Sequence, residues 1–225
     1  MRLVETADGS LTAFSARYQD HYHSLAGANL QARELYLRAS GVAADKRPRV
    51  IELGFGLGVN FFTSLTDVCA RDGFLEYVAI EINPVPVKTL ETALEKYKGP
   101  ILENILQKWG RSFTINGKCF ELQLMVTDVS NWSPIHEWAS AIYFDPFNPK
   151  TNPEPWRFNI IDKFYRSTAP GGILVTYSAA SAVRKALSLV GYQVEKMQAH
   201  GKKRHWTKAI KPERRNDGIK IINKK

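Results

Sequence analysis

Two hydrophobic periods alternate along this 225-residue chain, and the order of their alternation predicts an α/β fold. Tyr22, Leu25, Ala28, Ala32, Leu35 and Tyr36 recur at helical spacing up to Ser40-Gly41, which predicts a helical N-terminal extension with His21 and His23 on its surface. Past Pro48, Arg49 to Leu53 reads as a short strand that tightens through glycines into Phe61, Phe62, Leu65 and Val68, an apolar stripe at helical spacing. Leu75 to Glu81 is the next strand, stopped by Asn83-Pro84, and Val87, Leu90, Leu94 and Tyr97 share a helical face behind it. Residues 99–118, with Trp109, suit a short helix and a hairpin turn. Phe120 to Val126 alternates as a strand should, and Ala139 to Phe144 is a buried-type strand. Phe158, Ile161, Phe164 and Tyr165 form another helical face before Pro170-Gly171-Gly172 turns into a strand ending at Tyr177. Strand–helix repetition requires right-handed parallel crossovers, so the expected fold is Rossmann-like: a mostly parallel sheet with helices on both faces. One domain is expected, with an extension over 1–47, a core over 48–200 and a C-terminal segment over 201–225.

Composition changes this picture in two places. Lys and Arg number 31 against 22 Asp and Glu, yet residues 201–225 alone hold ten basic and two acidic side chains. The segment carries +8 of the net +9 and is a candidate polyanion contact. Cys69 and Cys119 lie far apart without a C-x-x-C pair, which predicts thiols in a reducing, intracellular setting and argues against a zinc site. Met1 to Ser10 lacks the basic and apolar regions of a signal peptide, and no 18-residue apolar run occurs, so a cytoplasmic protein without a membrane partner is expected.

The candidate chemistry begins at Glu52-Leu53-Gly54-Phe55-Gly56-Leu57-Gly58. Glycines permit positive φ and close backbone approach, and the helix that follows offers unpaired N–H groups at its start, so a nucleotide-like cofactor is the expected occupant. A G-x-G-x-x-G dinucleotide fingerprint is excluded because its third glycine would fall on Val59, and no Lys-Ser or Lys-Thr follows for a P-loop. The spacing resembles motif I of the class I S-adenosylmethionine (SAM) methyltransferases. Acids also stand at four strand ends: Glu52, Glu81, Asp128 and Asp145. In an open α/β sheet ligands bind at those ends. Glu81 is placed for ribose hydroxyls and Asp128 for an adenine amino group.

Asp145-Pro146-Phe147 resembles the (D/N)-P-P-(Y/F) motif of amine-directed methyltransferases. A carboxylate and a following backbone carbonyl can accept the hydrogens of a target nitrogen and fix its lone pair in line with a methyl donor. Phe147 either stacks on the target or packs.

The longer run Phe144-Asp145-Pro146-Phe147-Asn148-Pro149-Lys150-Thr151-Asn152-Pro153-Glu154-Pro155-Trp156 is more specific. It resembles the D-(G/P)-F-x-P-x-x-N-P-x-x-W signature of the methyltransferase domain in the MnmC family, the bifunctional enzyme of 5-methylaminomethyl-2-thiouridine biosynthesis in tRNA. Tyr22 to Ala28 is similar to that family's N-terminal helix, Glu52 to Phe61 to its glycine loop, and His200 to His205 to its G-x-K-R segment. The resemblance implies SAM-dependent methylation of the aminomethyl nitrogen on the wobble uridine of the tRNA anticodon. It implies Glu52, Gly54, Gly56, Gly58, Asn60, Glu81 and Asp128 as SAM-binding residues and Asp145 as the catalytic-site acid. Pro146, Phe147, Lys150, Asn152 and Trp156 would shape the substrate pocket, with Lys202, Lys203 and Arg204 as RNA contacts and no metal. Because the sequence stops at Lys225, the expectation is a stand-alone methyltransferase without FAD, dependent on other enzymes for the aminomethyl group. Two alternatives stand beside it: methylation of a small amine, or a non-catalytic RNA-binding protein that keeps the fold.

Overall fold

The computed structural model describes residues 1–199 and 205–214. The chain opens with a three-stranded antiparallel sheet, β1 (Arg2–Glu5), β2 (Leu11–Ser15) and β3 (Asp20–His21), in that order. Its Asp8-Gly9-Ser10 turn has a second task. The Asp8 carboxylate accepts the Leu30 N–H at 2.8 Å and Ser10 Oγ accepts the Ala28 N–H at 2.9 Å, so the turn satisfies the free donors at the start of helix α1 (Ala28–Gln31). Helix α1 runs directly into a π-helical segment, Ala32–Ala39, which buries Leu35, Tyr36 and Leu37.

The core then alternates as the hydrophobic pattern requires: β4 (Arg49–Leu53), α2 (Val59–Ala70), β5 (Leu75–Glu81), α3 (Val87–Ala93), α4 (Pro100–Lys108), β6 (Phe113–Asn116), β7 (Phe120–Val126), β8 (Ala139–Phe144), α5 (Phe158–Ser167), β9 (Thr168–Thr176), α6 (Ser181–Leu189), β10 (Gln193–Gln198) and β11 (His205–Ile210). Among the described residues these form an eight-stranded sheet in the order β10-β11-β9-β8-β4-β5-β7-β6. The five strands from β9 to β7 are parallel, and β6, β11 and β10 are antiparallel additions at the two edges. Period-two alternation supplies a core on each face. Val50, Tyr77, Ala79 and Tyr143 pack one way with Leu35, Tyr36 and Phe61, whereas Ile51, Val78, Ile80 and Phe144 pack the other way with Ile161 and Phe164. The direction of chain progression reverses between β4 and β8, the position where doubly wound sheets open a crevice.

Three expectations are corrected. The extension is helical only from Ala28; the residues before it pair as strands and loops, because Thr12 Oγ1 and Ala13 O already engage the His23 and Tyr22 N–H groups. His23, expected on the surface, is buried. The boundary at residue 200 does not divide the sheet, since β11 inserts between β10 and β9. Its end is fastened by Lys211, whose Nζ donates to the carbonyls of Tyr165 and Thr168 and pairs with Glu137 at 3.3 Å; Arg214 pairs with the same carboxylate. Part of the basic C-terminal charge is therefore spent inside the fold. Lys208 lies within β11, and the other basic positions Lys202, Lys203, Arg204, Arg215, Lys220, Lys224 and Lys225 lie outside the described residues.

The expectation of free thiols is also corrected. Cys69 and Cys119 form a disulfide across a sequence separation of 50, with Cα atoms 5.6 Å apart. Spacing hid this because the end of α2 and the residue before β7 meet only after the crossover has formed. Reduction of the bond, or Cys69→Ser, is expected to lower the unfolding free energy by about 2–4 kcal/mol. Urea midpoints measured with and without a thiol reductant test this; coincident midpoints would show that the cross-link contributes nothing.

Candidate active site

The glycine turn between β4 and α2 holds Gly54, Gly56 and Gly58 at φ values of 90°, 54° and 71°. At Gly54 the constraint is also one of space. A Cβ there would stand 2.9 Å from the Asp145 carbonyl oxygen, so glycine lets the ends of β4 and β8 approach. A Cβ on Gly56 would meet the Tyr22 ring at 3.0 Å, which ties the turn to the N-terminal extension.

Around this turn the strand ends present their acids differently. Glu81, at the end of β5, accepts the Gly56 N–H at 2.9 Å on one oxygen and the Asn83 N–H at 2.7 Å on the other. Burial raises its pKa, and those backbone donors oppose the rise. Asp128, past β7, is exposed; the Ser130 N–H at 2.7 Å and the nearby Lys163 keep its carboxyl below the usual range. Lys163 also braces that loop, donating to the carbonyls of Val129 and Trp132.

Asp145 is held by side chains rather than by backbone donors. The buried Tyr36 hydroxyl donates to Oδ1 at 2.5 Å, and Asn60 Nδ2 donates to Oδ2 at 3.1 Å. Burial pushes its pKa up to about 7 against those two hydrogen bonds. The same Asn60 amide donates at 2.8 Å to Glu52 Oε1. Glu52 is fully buried and its pKa is driven well up by that burial, so the fold favours its neutral form. Its other oxygen lies near the Tyr77 hydroxyl without a full hydrogen bond.

A cavity of about 480 Å³ opens where these strand ends meet. Gly54, Gly56, Glu81, Asp128, Asp145, Pro146, Phe147 and Asn152, all singled out in the sequence, line it. Glu52 and Asn60 stand behind its wall, and Gly58 caps α2 from a position outside the lining. Trp156 is buried and acts from behind too, its Nε1 donating to the Phe147 carbonyl at 2.8 Å. Lys150 is exposed and does not line the cavity, and Lys202, Lys203 and Arg204 lie outside the described residues.

The extension supplies a wall that motif reading did not assign. Phe147 stacks on Tyr18 at 4.3 Å and meets Tyr22 edge-on at 4.8 Å. Asn83 Nδ2 donates to the Tyr18 hydroxyl, Arg17 donates to Asn83 Oδ1, and the Tyr177 hydroxyl donates to the Pro146 carbonyl at 3.0 Å. Tyr22 lies in a stretch the resemblance had marked, but nothing in the local pattern signalled Tyr36, Tyr18 or Tyr177.

The chemistry of the lining suits a cationic nucleoside. Among the described residues, Asp20, Glu81, Asp128, Asp145 and Glu154 face the cavity against one guanidinium, Arg17, and no group of side chains is arranged to hold a metal ion. The volume is that of a single small-molecule site, and the glycine turn leaves backbone open to the ligand. SAM, with its sulfonium and ribose, fits that combination of acids and close backbone.

Known proteins agree with the geometry. A family model described as S-adenosyl-L-methionine-dependent methyltransferase matches residues 92–212. The tRNA 5-methylaminomethyl-2-thiouridine biosynthesis bifunctional protein MnmC of Ralstonia nicotianae is 32% identical over 89% of this chain, covering 33% of that protein. Its counterpart in Cupriavidus necator is 30% identical over 92% of this chain and 35% of its own length. The chain thus spans about a third of the curated relatives it matches. Among solved structures, MNMC2 from Aquifex aeolicus superposes with a TM-score of 0.76 at 26% identity, over 92% of this chain and 69% of that one. Spermidine synthase from Thermotoga maritima, at 11% identity and a TM-score of 0.56 over 93% of this chain and 67% of that one, shares the fold. With the family model covering more than half of its residues, the chain belongs to the S-adenosyl-L-methionine-dependent methyltransferases, and its cofactor is SAM.

Proposed function

We propose that this methyltransferase acts on the aminomethyl nitrogen of 5-aminomethyluridine, or its 2-thio form, at the wobble position of tRNA. The observation that carries the reading is the Asp145 carboxylate, which opens into the same cavity as Glu81 and the glycine turn while Tyr36 and Asn60 hold both its oxygens. The names of the MnmC relatives support the choice of substrate.

SAM, when bound, supplies an electrophilic methyl group on a sulfonium. Gly54, Gly56, Glu81 and Asp128 are the cavity residues proposed to hold it, with Glu52, Gly58 and Asn60 supporting them from behind. Asp145 accepts an N–H of the neutral amine and so aims its lone pair; the nitrogen that gains a methyl sheds one proton, for which Asp145 is the acceptor at hand. Pro146 adds a backbone carbonyl already oriented by Tyr177. Phe147, backed by Tyr18, offers a planar base its aromatic surface once the base has left the anticodon stack. Asn152 lines the mouth, Trp156 fixes the Phe147 carbonyl, and Lys150 stands exposed nearby. Lys202, Lys203 and Arg204 enter as RNA contacts on charge alone. With tRNA as substrate, the enzyme is proposed to work in the cytoplasm, downstream of the enzymes that install the aminomethyl group. A second reading, methylation of a small free amine, draws on the five carboxylates of the lining.

Methyl-labelled SAM incubated with tRNA lacking the final wobble methyl is expected to label 5-methylaminomethyluridine or its 2-thio form, identified by mass spectrometry of the nucleosides. Label confined to free amines would replace the tRNA reading with the second. Asp145→Ala is expected to lower kcat by about 10²-fold or more while SAM still binds, as for loss of a positioned proton acceptor; an unchanged kcat would remove Asp145 from the mechanism. With its pKa pushed up to about 7, Asp145 is protonated below that pH, so kcat/KM should rise as the pH passes upward through about 7. The Tyr36 hydrogen bond favours the charged carboxylate, so Tyr36→Phe should move this limb to higher pH by about one unit. A limb that keeps its position in Tyr36→Phe would show that another group titrates.

A further inference from the structure

A second recess lies beside the catalytic cavity and shares two of its walls. It measures about 280 Å³ and is lined by Leu30, Gln31, Tyr177, His205 and Trp206, with Ser24 at the shared boundary. Tyr177 stands between the two spaces: its hydroxyl is held by the Pro146 carbonyl, at the mouth of the catalytic side, and its ring also lines the second recess. Trp206 and His205 begin β11, and their neighbours Thr207 to Ile210 are paired with β9, so the platform they form rests on the sheet.

The linings of the two spaces differ in charge. Five carboxylates face the catalytic cavity, whereas no acidic side chain lines the second recess among the described residues. A cationic cofactor or amine therefore has no carboxylate partner there, while a flat aromatic group on a polyanion meets two aromatic rings and an imidazole. A volume of about 280 Å³ falls just below the range of sites that enclose a whole small-molecule ligand, which matches one ring system entering from a larger molecule. A polynucleotide that sends one base into the catalytic cavity presents its neighbouring base within a single nucleotide step, and this recess adjoins that cavity.

We propose that the recess formed by Tyr177, His205 and Trp206 is a stacking subsite for the nucleotide adjacent to the one that is methylated. The inference rests on the tRNA reading above and adds to it how the anticodon strand is held: one base is turned into the acidic cavity and its neighbour is laid on Trp206, with Tyr177 parting them. Stacking of this kind tolerates any base, because every base presents a π face. It would let one enzyme accept anticodons that differ beside the wobble position.

The test uses a synthetic anticodon stem-loop RNA carrying 5-aminomethyluridine at the wobble position, and the same RNA with an abasic residue at either neighbour. For the wild-type protein, one of the two abasic RNAs is expected to lose about tenfold or more in kcat/KM, the effect of one lost base–aromatic stack. Trp206→Ala should lose a similar factor on the intact RNA and little more on that abasic RNA, while its SAM affinity stays at the wild-type value. Trp206→Phe should restore most of the loss. Additive losses from the abasic RNA and Trp206→Ala, or abasic RNAs as active as the intact one, would overturn the subsite. A Trp206→Ala protein with weakened SAM binding and no rescue by Trp206→Phe would assign Trp206 a structural role instead. Failure of the wild-type protein to methylate the intact RNA would be a failure of the tRNA reading itself, and is seen before any variant is made.

Discussion

One side-chain amide joins the parts of this site. Asn60, in the first turn of α2, donates to Glu52 on β4 and to Asp145 at the end of β8, and Tyr36 completes the arrangement from the π-helical segment of the extension. The amide can serve both carboxyl groups because they differ in protonation preference. Glu52 is fully buried and favoured neutral, whereas Asp145 reaches the cavity and has donors on both oxygens. Two full negative charges on one buried amide would repel; one neutral and one titrating near neutrality do not. The geometry of the glycine turn follows from the same demand, since Gly54 must leave room for the Asp145 backbone to come within reach.

The parts of the fold set by short-range patterns were legible in the sequence. Strands β4, β5 and β8 stand where their apolar runs begin and end, because each is buried on both faces and bounded by turn residues, and β7 shows the alternation of a strand buried on one face. The acids at strand ends could be read for the same reason: a charged residue closing an apolar run has few places to go except the crevice. What could not be read were residues whose role depends on distant chain. Tyr36 looks like any apolar-face residue of a helix, and only the packing of the extension against β8 turns its hydroxyl toward Asp145. Trp156 illustrates the converse, since its motif position pointed to the pocket while its ring lies behind it, holding the Phe147 carbonyl. Strand β11 was hidden by composition, its Lys208 and the following Lys211 reading as part of a solvated basic segment although Lys211 is buried against carbonyls and Glu137.

The electrostatics of the molecule separate two tasks. The catalytic cavity is acidic, which suits the sulfonium of SAM, and an acidic cavity by itself repels a phosphate backbone. Binding a polyanion then depends on surfaces outside the cavity, and the sequence concentrates its excess positive charge in residues 201–225, a segment that includes β11. Lys211 is drawn into the fold and Arg214 is paired at the surface, both by Glu137, so the count of basic residues overstates what the segment can offer to a polyanion.

The placement of β11 has a consequence for how the protein is made. Its strand lies between β10 and β9, which precede it in the chain, so β10 has no partner in the sheet until residues 205–210 have left the ribosome. The parallel strands and the SAM crevice can assemble earlier, during synthesis, but the wall formed by Trp206 arrives only after them. A nascent chain would thus acquire the means to hold its cofactor before it acquires the full surface on which a nucleic acid could rest.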